Sequence, residues 1–186
     1  SLISEDERTL RNGHKGATIW ITGLHGSGKN DLAYTLEKDL FDQGIHVVLL
    51  DGSTVRTGLS KELDFSKTDR AEHLRRVAHI ARILNDQGII VICSFISPDE
   101  SIRNQISEII GKDRFILVYM NTKLEECKKY KPDLYRIAEE ESDVIIPGFD
   151  DNYEAPVNFD ISLNLQNFQE NKDVVIQILI NNSIIK

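Results

Sequence analysis

The chain is poor in the residues that staple, kink or anchor a protein: of its 186 residues two are Cys, four Pro, one Met and one Trp. Cys93 and Cys127 have no metal-site spacing, which excludes a cysteine-built metal centre, and Cys93 inside an apolar run reads as a buried thiol. No apolar stretch reaches membrane-spanning length and no secretory leader pattern is seen, so the expected compartment is the cytoplasm. Positive charge is also short. Lys and Arg number 22 against 30 Asp and Glu, a net charge of −8, which argues against a general nucleic-acid or membrane-surface binder, since both need a basic face. A local loop can still hold phosphates on an acidic protein. The opening SLISEDERTL has no initiator Met, which leaves room for an upstream segment. What remains is ordinary for a globular domain, 40% apolar and 28% charged, and long enough for one real core.

Strand-like and helix-like stretches alternate along it. Residues 1–16 are polar, end in GHKG, and read as an arm or linker. ATIWIT (17–22), IHVVLL (45–50), IIVICSF (89–95) and RFILVYM (114–120) are short apolar runs expected as buried strands. Leu32, Ala33, Leu36, Leu40 and Phe41 fall at helical spacing before Gly44. Residues 66–87 carry a long amphipathic stripe ending at Gly88. A helix is expected near 99–110, another over 122–141 broken at Pro132, an edge strand at 159–165 and a closing helix at 170–182. Strands apolar on both faces and separated by helices predict one doubly wound α/β domain over 17–186 with a parallel sheet.

GLHGSGKND (23–31) gives the chemistry. Gly23, Gly28 and Lys29 match G-x-x-x-x-G-K-[ST] up to the last position, where Asn30 replaces Ser or Thr. The loop follows a buried strand and opens a helix. Its backbone N–H groups, from Gly23 through Leu24, His25, Gly26, Ser27 and Gly28, therefore converge on phosphate oxygens, and Lys29 reaches the β- and γ-phosphates. A Gly-rich strand-to-helix turn without a ligand is the plainer alternative.

After such a loop, LLDGSTVRTGLSKELDFSKTDRAEHLRRVAHIA, SFISP and GFDDNYEAP, in that order, resemble the adenylylsulfate kinase family from about Arg11 to Pro156. The resemblance implies a P-loop kinase fold, ATP and Mg²⁺ as cofactors, and adenosine 5′-phosphosulfate as the acceptor of a γ-phosphoryl group on its 3′-hydroxyl, in sulfate assimilation. It also implies a homodimer and a lineage that occurs fused to sulfate adenylyltransferase. Carried across by position, Lys29, Asp51 and Ser97 fall on catalytic places. Asn30 and Asp51 fall on metal places, and Arg56, Phe65, Arg70, Ile96 and Ser97 on the acceptor site. A guanidinium fork suits the phosphosulfate anion. The alternatives are surface arginines pairing acidic neighbours, and Ser97 capping the helix that starts near Asp99. A phosphorylated Ser97 is disfavoured, because in-line transfer needs positioning and a metal rather than a covalent relay.

Departures from the family pattern gather on the chemistry. Asn30 stands at the magnesium-binding hydroxyl, and the family's Asp-Gly-Asp is Asp51-Gly52-Ser53. An Asn is replaced by His73 and an Arg by Glu100. The basic lid becomes YKPDLYRIAEEESDVIIPG, with Glu139, Glu140, Glu141 and Asp143 where cations stand, and Ile146 where the family has an aromatic. These losses predict nucleotide binding with impaired transfer, and a segment around 139–152 that is poorly ordered or held off the nucleotide site. Three readings stay open: a slow adenylylsulfate kinase, a non-catalytic nucleotide-binding domain supporting a fused or partner adenylyltransferase, and a kinase retargeted to another nucleotide.

Overall fold

A computed structural model describes residues 1–141, 143–149 and 152–186. Helix α1 (Glu5–Asn12) precedes β1 (Ala17–Gly23), which runs through the glycine loop into α2 (Lys29–Asp42). Then come β2 (Val47–Asp51), α3 (Gly52–Thr57), α4 (Lys67–Asp86), β3 (Ile90–Ser94), α5 (Glu100–Ile110) and β4 (Phe115–Met120). Helices α6 (Leu124–Tyr130) and α7 (Pro132–Glu140) lead across the lid segment to β5 (Ile161–Leu163) and α8 (Phe168–Asn181).

The five strands form one sheet in the order β2-β3-β1-β4-β5, and every pairing is parallel. β1 is central and buried at all seven positions, as expected for a strand covered on both faces. Alternate side chains of β1 serve two cores. Ile19 and Ile21 pack with Leu32, Leu36 and Leu179 beneath α2 and α8, while Trp20 packs with Val77, Ala81, Phe95 and Ile106 beneath α4 and α5. The carboxyl ends of β1, β2 and β3 share one edge, where the glycine loop, Asp51 and Phe95 come together. Ligands sit at that edge in open α/β sheets.

Asn85, near the end of α4, fastens the opposite edge. Its amide nitrogen donates to the carbonyls of Ala17 at 2.8 Å and Ile89 at 3.0 Å, and its oxygen accepts from the Thr18 hydroxyl at 2.7 Å. One fully buried side chain thus ties α4 to the start of β1 and the approach to β3.

The expected arm at 1–16 proves partly helical. Ser4 and Glu7 close a reciprocal capping box on α1, each satisfying a backbone N–H at the helix start. No residue of α1 is buried; Glu5 pairs with Arg114 at 3.2 Å. A short helix, α3, also follows β2 where no element was expected, with the Asp51 side chain as its N-cap.

Candidate functional site

The loop after β1 turns on glycine. Gly26 and Gly28 have φ of +77° and +94°, a region that L side chains rarely adopt. The space is closed as well. A Cβ on Gly26 would stand 2.6 Å from the Cys127 carbonyl, and one on Gly28 the same distance from the Leu165 side chain. Neighbours grip the loop from outside: the Tyr135 hydroxyl of α7 donates to the His25 carbonyl at 2.6 Å, and the Thr122 hydroxyl to the Ser27 carbonyl at 2.8 Å. The Ser27 hydroxyl is itself shielded, with no partner among the described residues.

Lys29 is buried and donates to the Leu24 carbonyl at 2.8 Å. Burial holds its ammonium down to about 8. Asn30 accepts from the Ser94 hydroxyl at 2.6 Å, so its amide oxygen is engaged rather than open. Asp51 accepts through one oxygen from the Thr54 amide at 2.8 Å and the Ser53 hydroxyl at 2.9 Å. Burial pushes its carboxyl up, but these bonds outweigh it and the group ionises more readily than an ordinary aspartate. Among the described residues no cluster of three His, Cys, Asp or Glu side chains could hold a metal alone.

Beside the loop lies a cavity of about 330 Å³. Lys29, Asn30 and His25 form its end at the glycine loop; Arg56, Phe65, Arg70, Ile96 and Ser97, five residues expected from the sequence, line the rest with Ser53, His73 and Phe95. The Arg56 guanidinium lies 4.1 Å from the centre of the Phe65 ring, a cation–π contact, and one of its nitrogens donates to the Asp64 carbonyl at 3.4 Å. Arg70 is buried and donates to the Phe65 carbonyl at 3.2 Å, with an Asp99 oxygen at 3.7 Å. Phe65, Arg70, Ile96 and Pro147 also border an adjoining cavity of about 890 Å³ under the lid segment.

Ser97 behaves as a strut. Its φ of +41° is unusual for a residue other than glycine, and its hydroxyl is engaged with Trp20 Nε1 at 3.1 Å, Thr22 at 2.9 Å and the Phe95 carbonyl at 3.1 Å. It does not cap α5, whose N-cap is Asp99 without a side-chain cap bond. Several residues outside the sequence expectation hold this turn. The Thr22 and Tyr153 hydroxyls meet at 2.9 Å, Glu154 N–H donates to the Pro98 carbonyl at 2.9 Å, and buried Arg103 donates to the carbonyls of Ser97 and Glu154. Tyr153 and Glu154 lie in GFDDNYEAP, so their presence in a quoted motif was the signal available.

The lid departs from expectation at its centre. Ile146 is buried with Cys127 and Tyr135, and Pro147 lines the cavity, so this part is packed onto the loop rather than held off it. Glu139 pairs with Lys128 at 3.0 Å; Glu140 and Glu141 are exposed. Ser142, Asp150 and Asp151 lie outside the described residues.

Comparison with known proteins agrees with this geometry. The family model described as adenylylsulphate kinase matches residues 15–164. An adenylyl-sulfate kinase of Pseudomonas entomophila is 42% identical over 86% of this chain and 79% of its own. One of Staphylococcus haemolyticus is 39% identical over 100% and 94%. A bifunctional CysN/CysC enzyme of Rhodopirellula baltica is 37% identical over 96% of the chain, which spans only 28% of that protein. Among solved structures, the Mycobacterium tuberculosis APS kinase CysC in complex with AMPPNP and APS superposes with a TM-score of 0.84 at 36% identity, covering 90% of this chain and 99% of that one. With a parallel sheet, a glycine loop at its carboxyl edge and an arginine-lined cavity beside it, the chain belongs to the adenylylsulphate kinase family.

Proposed function

We propose that the chain binds ATP on the 23–30 loop and adenosine 5′-phosphosulfate in the adjoining cavity, and transfers the γ-phosphoryl group to the 3′-hydroxyl slowly. The observation carrying this reading is that Lys29 and the Arg56–Phe65–Arg70 set border one continuous cavity. Lys29 neutralises the transferring phosphates, and Arg56 and Arg70 hold the acceptor anion against Phe65. The 3′-oxygen attacks the γ-phosphorus in line, the bond to the bridging oxygen breaks, and the hydroxyl proton passes to the free oxygen of Asp51. That carboxylate is a poor base, because its other oxygen already accepts two hydrogen bonds. Catalysis here is positioning and charge neutralisation.

Magnesium fits this donor set only as an ion brought in with the nucleotide. Phosphate oxygens and water would hold it beside Asp51, whose free oxygen is kept for the hydroxyl proton, while the Asn30 oxygen already accepts from Ser94. When bound, it would supply charge neutralisation at the phosphates.

A second reading, a non-catalytic nucleotide-binding domain supporting a sulfate adenylyltransferase, draws on the same engaged Asp51 and Asn30. It also draws on the similarity to part of a bifunctional enzyme. A coupled kinase assay with matched binding titrations separates the two. The expected wild-type turnover lies below about 1 s⁻¹, and Asn30→Ser with Ser53→Asp raises it by roughly 10²-fold with little change in affinity, the usual worth of a general base. Wild-type turnover within the common range of about 1–10³ s⁻¹ overturns the slow-transfer reading. Binding without transfer in both proteins favours the second.

A further inference from the structure

The first turn of α5 is capped from far away in the chain. Asp99, its N-cap, makes no side-chain cap bond and lies 3.8 Å from Lys67 and 3.7 Å from Arg70 instead. The Glu100 N–H donates to a Glu154 carboxylate oxygen at 3.1 Å, so the return from the lid segment supplies the anion that a helix start favours. The Glu154 N–H donates back to the Pro98 carbonyl at 2.9 Å. Arg103, one turn into α5, completes the joint and is only 3% exposed. Its guanidinium pairs with Glu100 at 2.7 Å, donates to the Ser97 carbonyl at 2.7 Å and to the Glu154 carbonyl, and lies 5.7 Å from the centre of the Tyr153 ring. The Tyr153 hydroxyl meets that of Thr22 at 2.9 Å, and Thr22 donates to the Ile96 carbonyl at 2.7 Å.

From this arrangement we infer that Arg103 is a positioning residue that fastens the return of the lid segment at 153–154 to the Ser97–Pro98 turn, so that one wall of the cavity and the downstream root of the lid form a single body. Ile96 and Ser97 line that cavity and Arg103 does not, so it acts through their backbone. Ser97 holds a φ of +41°, a conformation that persists only where its surroundings over-determine it. A buried charge adds little stability over a well-packed apolar side chain. What a rigid two-pronged guanidinium adds is a fixed relation between two carbonyls, which a lysine's single ammonium does not impose. The consequence for acceptor affinity rests on the acceptor site proposed above; the fastening itself does not.

Hydrogen exchange and binding titrations on the whole chain test both parts. Arg103→Met keeps a long apolar stem and removes the fork. The Glu100 and Glu154 amides should then exchange about tenfold faster or more, while those of β1 and β3 keep their wild-type rates, as a local rather than global opening requires. Adenosine 5′-phosphosulfate affinity should fall about 10- to 100-fold, the worth of one hydrogen bond to a charged group, with ATP affinity within about twofold. Arg103→Lys should recover part of both effects. Unchanged exchange at the two amides overturns the inference, and so does faster exchange with wild-type acceptor affinity. Faster exchange throughout the sheet with both affinities reduced together would mark a merely structural role and overturns it too. A wild-type chain that binds no adenosine 5′-phosphosulfate sinks the acceptor reading, and the exchange rates then decide the fastening alone. If Arg103→Met fails to fold, Tyr153→Phe, which takes one hydroxyl from Thr22, should speed exchange at Glu154 and not in β3; no change at Glu154 overturns the inference.

Discussion

Replacing Asn85 with alanine removes three hydrogen bonds from a site closed to water. Each is worth about 1 kcal/mol net, and the Thr18 hydroxyl would be left without its acceptor, a further penalty of about 1–3 kcal/mol. The space cannot collapse easily on one side, because a Cβ on Gly16 would already stand 2.2 Å from the Asn85 carbonyl. The sum is roughly 4–6 kcal/mol, about a quarter or more of the stability of a typical domain. In urea, with a slope near 2 kcal/mol/M, the midpoint should fall by about 2–3 M at unchanged slope. Asn85→Asp separates donors from shape. It keeps the acceptor for Thr18 but turns a carboxylate oxygen toward the Ala17 and Ile89 carbonyls, so it should be at least as damaging at pH 7. It should recover as the pH falls toward 4, when the protonated carboxyl again offers one donor. A midpoint shift below about 0.5 M for Asn85→Ala would refute the claim that this side chain holds three elements together.

Two further outcomes concern the loop. Only a protonated Lys29 attracts phosphates, and burial has brought its pKa to about 8, well below an ordinary lysine. ATP affinity measured in chelator should therefore be level below pH 7 and fall up to tenfold per unit above pH 8. Lys29→Arg should abolish that slope, and a wild-type profile flat to pH 9.5 would refute the assignment. Gly26→Ala places a methyl group 2.6 Å from the Cys127 carbonyl at a φ of +77°. Calorimetry should show ATP binding lost while the sheet still melts cooperatively; wild-type affinity would mean the loop is not clamped as described.

The layered architecture was legible because β1 and β3 are buried along their whole lengths, and such strands leave continuous apolar runs. The phosphate loop was legible because its glycines are dictated by backbone angles that few other residues tolerate. Helix α1 was not, since its signal is a capping box in a polar stretch with no buried face. Ser97 was placed on a catalytic and acceptor-site position by resemblance, with a helix cap near Asp99 as the alternative. Its hydroxyl is instead committed to Trp20 and Thr22 on the neighbouring strand, and no local pattern encodes a partner more than seventy residues away. The acidic run at 139–141 drew attention from Ile146, whose burial beside Cys127 and Tyr135 depends on how α6 and α7 fold back over the loop.

The family match ends at residue 164, one residue before the side chain that closes off the space beside Gly28. The Leu165 N–H also donates to Thr122, the residue that grips the loop at Ser27, and Asn171 on α8 steadies the Asn164 carbonyl just before it. The boundary recognisable by descent and the boundary of the working machine are therefore offset. A trimmed fragment that keeps every quoted motif but stops at 164 would retain the vocabulary of a phosphate site while losing the floor on which it stands. Anyone grafting or shortening this domain has to carry along the tail that packs against the glycine loop.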